Sequence, residues 1–242
     1  AFLYTIDAST AEQAIPAGTR LLLAISPSGL EERARYEISR YLAEGGRVFL
    51  IANGFRIGNQ FGFKADKTPT GLEPELDALG VSFGNHFVCD VNNVKLATNV
   101  NQATNEVTYQ PLPFYVKIDA SLVDQESPIT KFLPYLVLPF PGELFLDKDR
   151  HHQQGLDVAT LATTSPESWT TPFQELYEPE KFQPTQRSPE GRKPVFVKIE
   201  GQFPCAWEGK PVPPWQSEER PGEGAVPGAG KGKGKGKDGA IA

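Results

Sequence analysis

Two short, largely apolar runs near the start of the chain enclose a segment with helical periodicity. Residues 20–26 and 47–52 have strand length, and such runs are typical of strands buried on both faces of a parallel sheet. Apolar residues recur at helical spacing over residues 30–44, and Gly45 with the next glycine ends the pattern as a left-handed cap does. The pattern predicts a strand–helix–strand unit over residues 20–52, with parallel strands in one sheet and a right-handed crossover.

The segment between the two runs is predicted to be a surface helix with one charged side. Ser28 is its predicted N-cap, because a serine hydroxyl can accept a hydrogen bond from the first free amides. The apolar side would pack on the sheet, and the opposite side would face solvent. The residues predicted to face solvent are Glu31, Glu32, Arg33, Arg35, Glu37 and Arg40.

The apolar runs after residue 52 are shorter and less regular. Residues 53–70, rich in Gly, Asn and Phe, predict a long loop, and residues 72–79 predict a short helix. Short apolar stretches bounded by Pro, Asn or Gly predict strands. We therefore predict an α/β fold, a mostly parallel sheet flanked by helices, with a β-rich second half. The predicted strands outside the first unit are residues 2–6, 81–83, 87–91, 107–110, 114–118, 135–138, 156–163 and 194–200, and residues 165–169 predict a capped turn.

The composition divides the chain into a domain and a tail. Residues 1–216 form the predicted domain, whereas residues 217–242 are mostly Gly, Pro, Lys and Ala and contain no aromatic residue. Lys and Gly alternate near the end, which predicts a flexible linker. The chain begins at Ala1 and contains no Met. We interpret it as a processed chain or a fragment that lacks terminal strands.

The net charge argues against one class of partner. The chain has 24 Lys and Arg against 30 Asp and Glu, a net charge of −6. Nucleic-acid binding is not predicted, because phosphate contacts need a basic surface. No apolar run approaches the roughly 18 residues that a membrane-spanning helix requires.

Candidate catalytic and cofactor residues are few. The glycines at 54, 58 and 62 are spaced by four, so they do not form a dinucleotide-binding fingerprint, and we predict no cofactor. His86 stands alone, and the adjacent His151 and His152 are predicted to lie exposed with no partner in common. Neither zinc spacing nor a calcium loop is present, so no metal site is predicted. The Asp90–Asn93 stretch predicts turn chemistry instead.

The two cysteines, Cys89 and Cys205, leave three interpretations open. They could be buried thiols, a disulfide that closes a long loop, or a reactive nucleophile. Cys89 lies inside a predicted strand and Cys205 follows a proline in a loop. Neither has the strand–turn–helix context of an activated nucleophile. We therefore predict no catalytic residue and no enzymatic activity of the hydrolase or amidotransferase type.

Four segments of the chain, taken in order, carry a resemblance to a known protein family. The first runs from Ala17 through the Gly-Gly-Arg-Val-Phe-Leu-Ile stretch at residues 45–51. The second begins at Val91-Asn-Asn-Val-Lys95, the third is Leu161-Ala-Thr-Thr-Ser-Pro-Glu-Ser-Trp169, and the fourth is Pro194 to Pro204. Together they span roughly residues 15–210, and they resemble the auxiliary-component family of ABC transporters that includes the gliding-motility proteins.

The resemblance implies a Rossmann-like α/β domain related to the class I glutamine amidotransferases but without their catalytic machinery. It also implies a periplasmic location, with the full-length protein anchored to the membrane by helices outside this chain. A membrane permease and a cytoplasmic ATPase are the implied partners. On this resemblance we expect a non-enzymatic extracytoplasmic auxiliary domain that acts through protein contacts.

The alternative function is a small-ligand receptor or an enzyme that uses the crevice at the carboxyl ends of the strands. Ligands of open α/β sheets bind at this position. Asn53, Phe55 and Arg56 follow the run at 47–52 and would line such a crevice. Arg56 would pair with a carboxylate or a phosphate there, or would be an ordinary surface residue.

Overall fold

The computed structural model describes residues 14–57, 63–102, 104–177 and 188–215 of the 242-residue chain. The strand predicted at residues 2–6 and the linker predicted at 217–242 lie outside the described residues. Within the described ranges the chain forms thirteen β-strands and three α-helices, so strands dominate the fold.

The strand–helix–strand prediction is confirmed. Strand β1 (Leu22–Ile25) and strand β2 (Val48–Ile51) pair in parallel, with Leu22 opposite Val48, and helix α1 (Glu32–Ala43) connects them. The helix is followed by Gly45 at φ +87°, a left-handed conformation that glycine adopts without steric cost. The amphipathic pattern and the glycine stop were therefore sufficient to define this unit.

The predicted N-cap is wrong. Glu31 occupies the cap position, and its side chain makes no capping hydrogen bond. Ser28 lies three residues before this cap position. The backbone of the two residues after Ser28 bonds instead to residues 69 and 70. The N–H of Gly29 donates to the carbonyl of Pro69 at 3.0 Å, and the N–H of Leu30 donates to Thr70 at 3.3 Å. These long-range bonds determine where the helix can begin.

The later elements agree only in part with the sequence patterns. The predicted short helix and the strands near 135, 156 and 194 are confirmed. The runs at 81–83 and 87–91 belong to one strand, and so do those at 107–110 and 114–118.

The remaining elements are β3 (Phe55–Ile57), β4 (Phe63–Lys67), α2 (Glu73–Ala78), β5 (Val81–Cys89), β6 (Asn93–Asn101), β7 (Glu106–Asp119), a 3₁₀ turn (Ala120–Leu122), β8 (Tyr135–Pro139), β9 (Gly142–Leu146), α3 (Lys148–Gln154), β10 (Asp157–Thr163), β11 (Trp169–Pro172), β12 (Leu176–Tyr177) and β13 (Pro194–Glu200).

The predicted fold class, a mostly parallel sheet flanked by helices of Rossmann-like or amidotransferase-like type, is wrong. Only β1 and β2 pair in parallel among the described strands, and every other strand pair is antiparallel. The sheets have the orders β1-β2, β12-β4-β3, β11-β5-β9, β6-β7-β8 and β10-β13. The two later helices, α2 and α3, connect strands that lie in different sheets, β4 with β5 and β9 with β10, so neither helix forms the crossover of a parallel pair.

The predicted loop at residues 53–70 is also wrong. It contains β3 and β4, which pair antiparallel with Phe55 opposite Lys67. Each of these strands is short, and Phe, Gly and Asn do not alternate in a clear two-residue period there. Strand β12, which pairs with β4, lies more than a hundred residues further along the chain. The residue pattern at 53–70 therefore could not indicate this pairing.

Three apolar clusters form the core. One lies under α1 and the β1–β2 pair, with Leu22, Ile38 and Leu72 among its members. A second, centred on Phe87 and Phe114, joins the antiparallel sheets. The third packs β7 against β10 and β13. The first cluster is separated from the other two by the cleft described below.

The predicted turn at residues 165–169 is confirmed, and buried polar groups stabilise it. The carboxylate of Asp90, which is fully buried, accepts hydrogen bonds from the Ser165 hydroxyl at 2.6 Å and the Ser165 N–H at 2.7 Å. The same carboxylate accepts from the N–H of Asn92 at 2.9 Å, which is the predicted turn chemistry. Trp169, at the end of the turn, is buried in the central cluster.

Candidate functional site

An apolar cleft lies between the β1–α1–β2 unit and the antiparallel strands. Its larger chamber has a volume of about 510 Å³ and is bounded by β2, α1 and α2 on one side and by β13 and residues 203–206 on the other. This volume lies in the range of ligand-binding pockets. Most lining side chains are apolar, including Phe49, Leu76, Phe83, Leu144, Val195, Val197 and Phe203.

The smaller chamber of the apolar cleft lies where the sequence placed a crevice, at the carboxyl ends of the two parallel strands. It has a volume of about 410 Å³, and Ser26, Ile51 and Asn53 line it. Ser26, the residue after β1, has a φ of +47°, which is uncommon for a residue with a side chain. The two chambers are continuous along four shared residues, which are Ala52, Phe83, Leu144 and Val195.

Asn53 connects the smaller chamber to the backbone of a distant turn. Its Nδ2 donates to the carbonyl of Phe140 at 2.9 Å. Phe140 is fully buried at φ +47°, so this hydrogen bond helps to hold a strained backbone. The Asn53 Oδ1 atom is buried in the chamber wall and accepts no hydrogen bond from the part of the chain that the structure describes. Asn53 is therefore a positioning group with one free acceptor.

Phe55 is a core residue more than a ligand contact. It is buried, its ring centroid lies 4.2 Å from that of Phe87, and it stacks on Phe173 at 5.3 Å. It also lines the smaller chamber. Arg56 lies in β3 opposite Asp66, and its side chain lies outside the described part of the structure. The structure thus brings Asn53 and Phe55 together at the predicted crevice.

One edge of β2 faces the larger chamber without a strand partner. The carbonyls of Arg47 and Ile51 accept hydrogen bonds from β1, at 2.8 and 2.7 Å, so the odd-numbered residues of β2 direct their backbone groups to β1. The N–H and C=O groups of Val48 and Leu50 therefore point to the opposite edge. In the part of the chain that the structure describes, β1 is the only strand that pairs with β2. Val48 and Leu50 both line the larger chamber.

Polar groups at the larger chamber are mostly satisfied. Glu75 pairs with Arg35 at 2.8 Å. The Gln154 Nε2 donates to the carbonyl of Ala78 at 2.9 Å, whereas its Oε1 is buried and accepts no hydrogen bond from the described residues. Apart from the backbone groups at the edge of β2, the chamber therefore offers an uncharged side-chain acceptor in an apolar surrounding, which suits an uncharged partner.

A charged side chain at the first position of helix α2, which forms part of the chamber wall, holds the residues just before the helix. The carboxylate of Glu73 accepts from the Thr70 N–H at 2.6 Å, the Thr70 hydroxyl at 2.9 Å and the Gly71 N–H at 2.9 Å. Burial raises the pKa of Glu73, but hydrogen bonds from its own backbone, Thr70 and Gly71 outweigh burial and lower the pKa below the ordinary glutamate value. The charged form of Glu73 therefore stabilises the start of this helix.

The C-terminal described segment covers the charged side of α1, which the sequence placed in solvent. Arg33 donates to the carbonyl of Pro213 at 3.0 Å, and its guanidinium lies 4.9 Å from the centroid of the Trp215 ring. Glu37 is buried, with Arg33 and Arg40 each at 2.8 Å. Charge alternation along a helix cannot reveal that such a segment returns to cover it, so this contact was missed.

The predicted exposure of the two adjacent histidines is half right. Both lie in α3, where His152 is exposed and His151 is buried. The His151 ring packs at Gly80, where an added Cβ would lie 2.8 Å from its Nε2. Residues 151 and 152 project from a helix about 100° apart, so one can face the core while the other faces water. His86 instead pairs with Glu143 at 3.0 Å on the surface.

Both cysteines are free thiols, so the disulfide interpretation is wrong. Cys89 is buried, and its sulfur lies 3.9 Å from the Thr171 hydroxyl. Cys205 is half-buried in the chamber wall, 3.9 Å from the Ser39 hydroxyl. Within the described ranges no three His, Cys, Asp or Glu side chains are grouped closely enough to hold a metal ion.

The side of the apolar cleft formed by β13 and residues 203–206 was not predicted from the sequence. β13 was predicted as a strand with alternating Val195, Val197 and Ile199, and these residues do line the chamber, but the alternation alone does not say what they face. Residues 203–206 carried no local signal. A search for apolar strand faces without an assigned partner would have selected β13.

The comparisons with known proteins identify the class of this chain. Residues 2–237 match the ABC transporter auxiliary family, described as an ABC-type uncharacterized transport system. The chain belongs to this family and is an auxiliary component of an ABC-type transport system. The resemblance inferred from the four sequence segments is thereby confirmed. Searches of the curated proteins and of the solved structures found no match. No helix in the described ranges is long and apolar enough to cross a membrane.

Proposed function

We propose that this chain is a non-enzymatic docking domain of its ABC transport system, and that the apolar cleft takes an extended segment of a partner subunit beside β2. The observation that supports this function best is the edge of β2 in the apolar chamber, with which no strand among the described residues pairs. A backbone N–H or C=O without a partner in such a setting is costly, so the edge favours a strand that supplies hydrogen bonds.

The lining of the larger chamber suits the side chains of an added strand. In strand addition, main-chain hydrogen bonds provide affinity and pockets receive alternate side chains. The backbone groups of Val48 and Leu50 would make the hydrogen bonds, and the wall formed by Val197 and Phe203 would receive apolar side chains. An isolated two-stranded sheet is marginal by itself, so a third strand would also stabilise β1 and β2.

The chemistry of the cleft walls supports binding rather than catalysis. A nucleophilic mechanism needs a nucleophile within reach of a base that a third group orients. Among the described residues that line the two chambers there is no histidine, and the carboxylate of Glu75 is engaged by Arg35. The Ser39 hydroxyl accepts from the Ala206 N–H at 3.0 Å and so anchors the chamber wall.

The identity of the partners rests on the family resemblance. We propose the permease and the ATPase subunits of the same system as partners, with the permease supplying the docked segment. We also propose a periplasmic location, membrane anchoring through helices outside this chain, and a gliding-motility type of system. These proposals have the same support, and the experiment that follows tests the permease as the partner.

Photo-crosslinking from adjacent positions of β13 tests the docking function. A benzophenone amino acid at Val197 would lie in the larger chamber, whereas the same group at Lys198 projects to the other face of the strand, where Lys198 pairs with Glu200 at 2.6 Å. In membranes that contain the whole transport system, we expect crosslinks to a permease segment from position 197 and none from position 198. Equal crosslinking from both positions, or none from 197, would contradict docking in the cleft.

A small-ligand receptor, or an enzyme, that uses the smaller chamber is the second candidate. The buried Asn53 Oδ1, which accepts no hydrogen bond, favours it because a ligand N–H or O–H would satisfy that atom. A ligand that raises the melting temperature of the wild-type chain but not of the Asn53→Leu variant would favour this candidate. If crosslinking at Val197 also failed, the receptor would replace the docking function.

A further inference from the structure

Strand β2 lies between two layers of the fold that cover its opposite faces. The side chains of Val48 and Leu50 pack against the apolar cluster under α1, and Leu76 of α2 packs against the same cluster. Side chains alternate along a strand, so Phe49 points to the other face. The centroid of its ring lies 5.7 Å from that of Phe196 in β13. Helices therefore cover one face of β2, and β13 covers the other.

Both layers continue past the edge of β2 and form the two walls of the larger chamber. Leu42 and Leu76 belong to the helical wall. Val195, Val197 and Phe203 belong to the opposite wall. All five side chains are half-buried, so each wall keeps apolar surface that an added strand would cover. A strand that pairs with the edge of β2 would therefore meet apolar side chains on both of its faces.

The walls offer little to a charged side chain. Glu75 is the one charged residue among the described residues that line the larger chamber, and it pairs with Arg35 at 2.8 Å. The Arg35 Nε also lies 3.1 Å from each oxygen of this carboxylate. A charged side chain on the added strand would lose its hydration without gaining a partner of opposite charge, which is costly.

We propose that the segment that docks beside β2 is a continuous apolar run, in which consecutive residues are apolar and no polar residue alternates with them. This inference rests on the docking function proposed above and specifies the sequence of the partner segment. Strands that are buried on both faces have continuous apolar sequences, whereas strands with one solvated face alternate. The run would be about as long as β2, which has four residues.

An amphipathic segment with alternating polar residues is the competing class of partner. A shift of one residue in strand register moves every side chain to the opposite face. An alternating segment could therefore turn its apolar face to either wall. If only one wall contacted the partner, such a segment would bind as well as a continuous apolar run. A comparison of the two kinds of sequence thus tests whether both walls contact the partner.

Two synthetic peptides, added to the full wild-type chain, make this comparison. Each has lysines at both ends for solubility, and the core is Val-Val-Val-Val-Val in one and Val-Thr-Val-Thr-Val in the other. Threonine keeps the branched shape of valine, so the cores differ only in hydroxyl groups that replace methyl groups. By fluorescence anisotropy, we expect the threonine peptide to bind at least tenfold more weakly, because its hydroxyls are buried against an apolar wall. Equal binding would overturn the inference and leave the docking function intact.

A third peptide, with the core Val-Val-Pro-Val-Val, tests the docking function separately. Proline lacks an N–H and disrupts strand pairing, so this peptide should also bind at least tenfold more weakly than the all-valine peptide. Equal binding would show that no strand pairs with β2, and the docking function and the inference would both fail. If the all-valine peptide did not bind while crosslinking from position 197 persisted in the assembled system, only the inference would be overturned.

One substitution in each wall tests where the all-valine peptide binds. Val197→Thr and Leu76→Asn each add a polar group at nearly the original size, and each should weaken binding at least fivefold. Lys198→Thr, on the other face of β13, is the matched control and should leave binding unchanged. Weaker binding in only one of the two wall variants would overturn the inference. The peptide comparison uses the wild-type chain, so it remains decisive if a wall variant unfolds.

Discussion

Replacement of Asp90 by alanine should destabilise the protein strongly, although the residue is remote from the apolar cleft. The carboxylate is fully buried and accepts three hydrogen bonds, from the Ser165 hydroxyl, the Ser165 N–H and the N–H of Asn92. It joins the β5–β6 turn to the turn at residues 165–169, which are 75 residues apart in the chain. The truncation would leave three donors without this acceptor.

The expected cost follows from the number and burial of those donors. An unsatisfied buried donor costs about 1–3 kcal/mol. Ser165 and Asn92 are only half-buried, so water can satisfy some of them, and we expect a total loss of about 3 kcal/mol. For a domain of this size, 1 kcal/mol corresponds to about 2–4 °C, so the melting temperature should fall by about 6–12 °C.

Denaturant unfolding of Asp90→Ala and a matched control provides the assay. Asp157→Ala removes the same side chain from an exposed position at the start of β10, and it should change the free energy of unfolding by less than about 0.5 kcal/mol. Ser165→Ala combined with Asp90→Ala should cost less than the sum of the single changes, because the two residues share hydrogen bonds. A loss below about 0.5 kcal/mol for Asp90→Ala would refute this reasoning.

Three further predictions concern other parts of the fold. Gly80→Ala should cost more stability than Gly155→Ala in thermal unfolding, because both have positive φ but only at Gly80 would the Cβ meet a side chain, at 2.8 Å. Glu73→Gln should lose stability relative to wild type near neutral pH. Folding lowers the pKa of Glu73, so its carboxylate contributes to the free energy of unfolding at pH values above its ordinary pKa of about 4.3. This contribution disappears as the pH falls through the pKa of the folded state, which unfolding measured at several pH values would show. Iodoacetamide should label half-buried Cys205 faster than buried Cys89 in the native protein.

Each of these predictions has a contrary result. Equal losses for the two glycine variants would show that the close contact at Gly80 relaxes freely. A difference between Glu73→Gln and wild type that does not shrink as the pH falls below the ordinary glutamate pKa would mean that hydrogen bonding to the charged carboxylate is not its cause. Faster labelling of Cys89 than of Cys205 would show that the central cluster opens more readily than the chamber wall.

The sequence could predict the parts of the fold that depend on nearby residues. The β1–α1–β2 unit has an amphipathic helix between two apolar runs and a glycine stop, and each of these signals lies within 33 residues, from 20 to 52. The turn at 165–169 and strand β13 were recognised for the same reason. Extending the first unit to the whole chain caused the error in fold class, because the described strand pairs after residue 52 are antiparallel and four of them join strands that are not consecutive in the chain.

The candidate site was predictable in position but not in form. A crevice at the carboxyl ends of the parallel strands was predicted, and Asn53 and Phe55 do lie at the smaller chamber. The larger chamber could not be predicted, because β13 and residues 203–206 approach β2 from about 150 residues away in the chain. Side-chain patterns define which face of a strand is apolar, but they do not define which surface it meets.

Amide hydrogen exchange on β2 tests the central claim most directly. If a partner segment pairs with the free edge, the amides of Val48 and Leu50 should exchange at least tenfold more slowly in the assembled transport system than in the isolated chain. The amides of Phe49 and Ile51 already face β1, so they provide the internal control and should change less. Unchanged exchange at Val48 and Leu50 on assembly would contradict the docking of a strand in the apolar cleft.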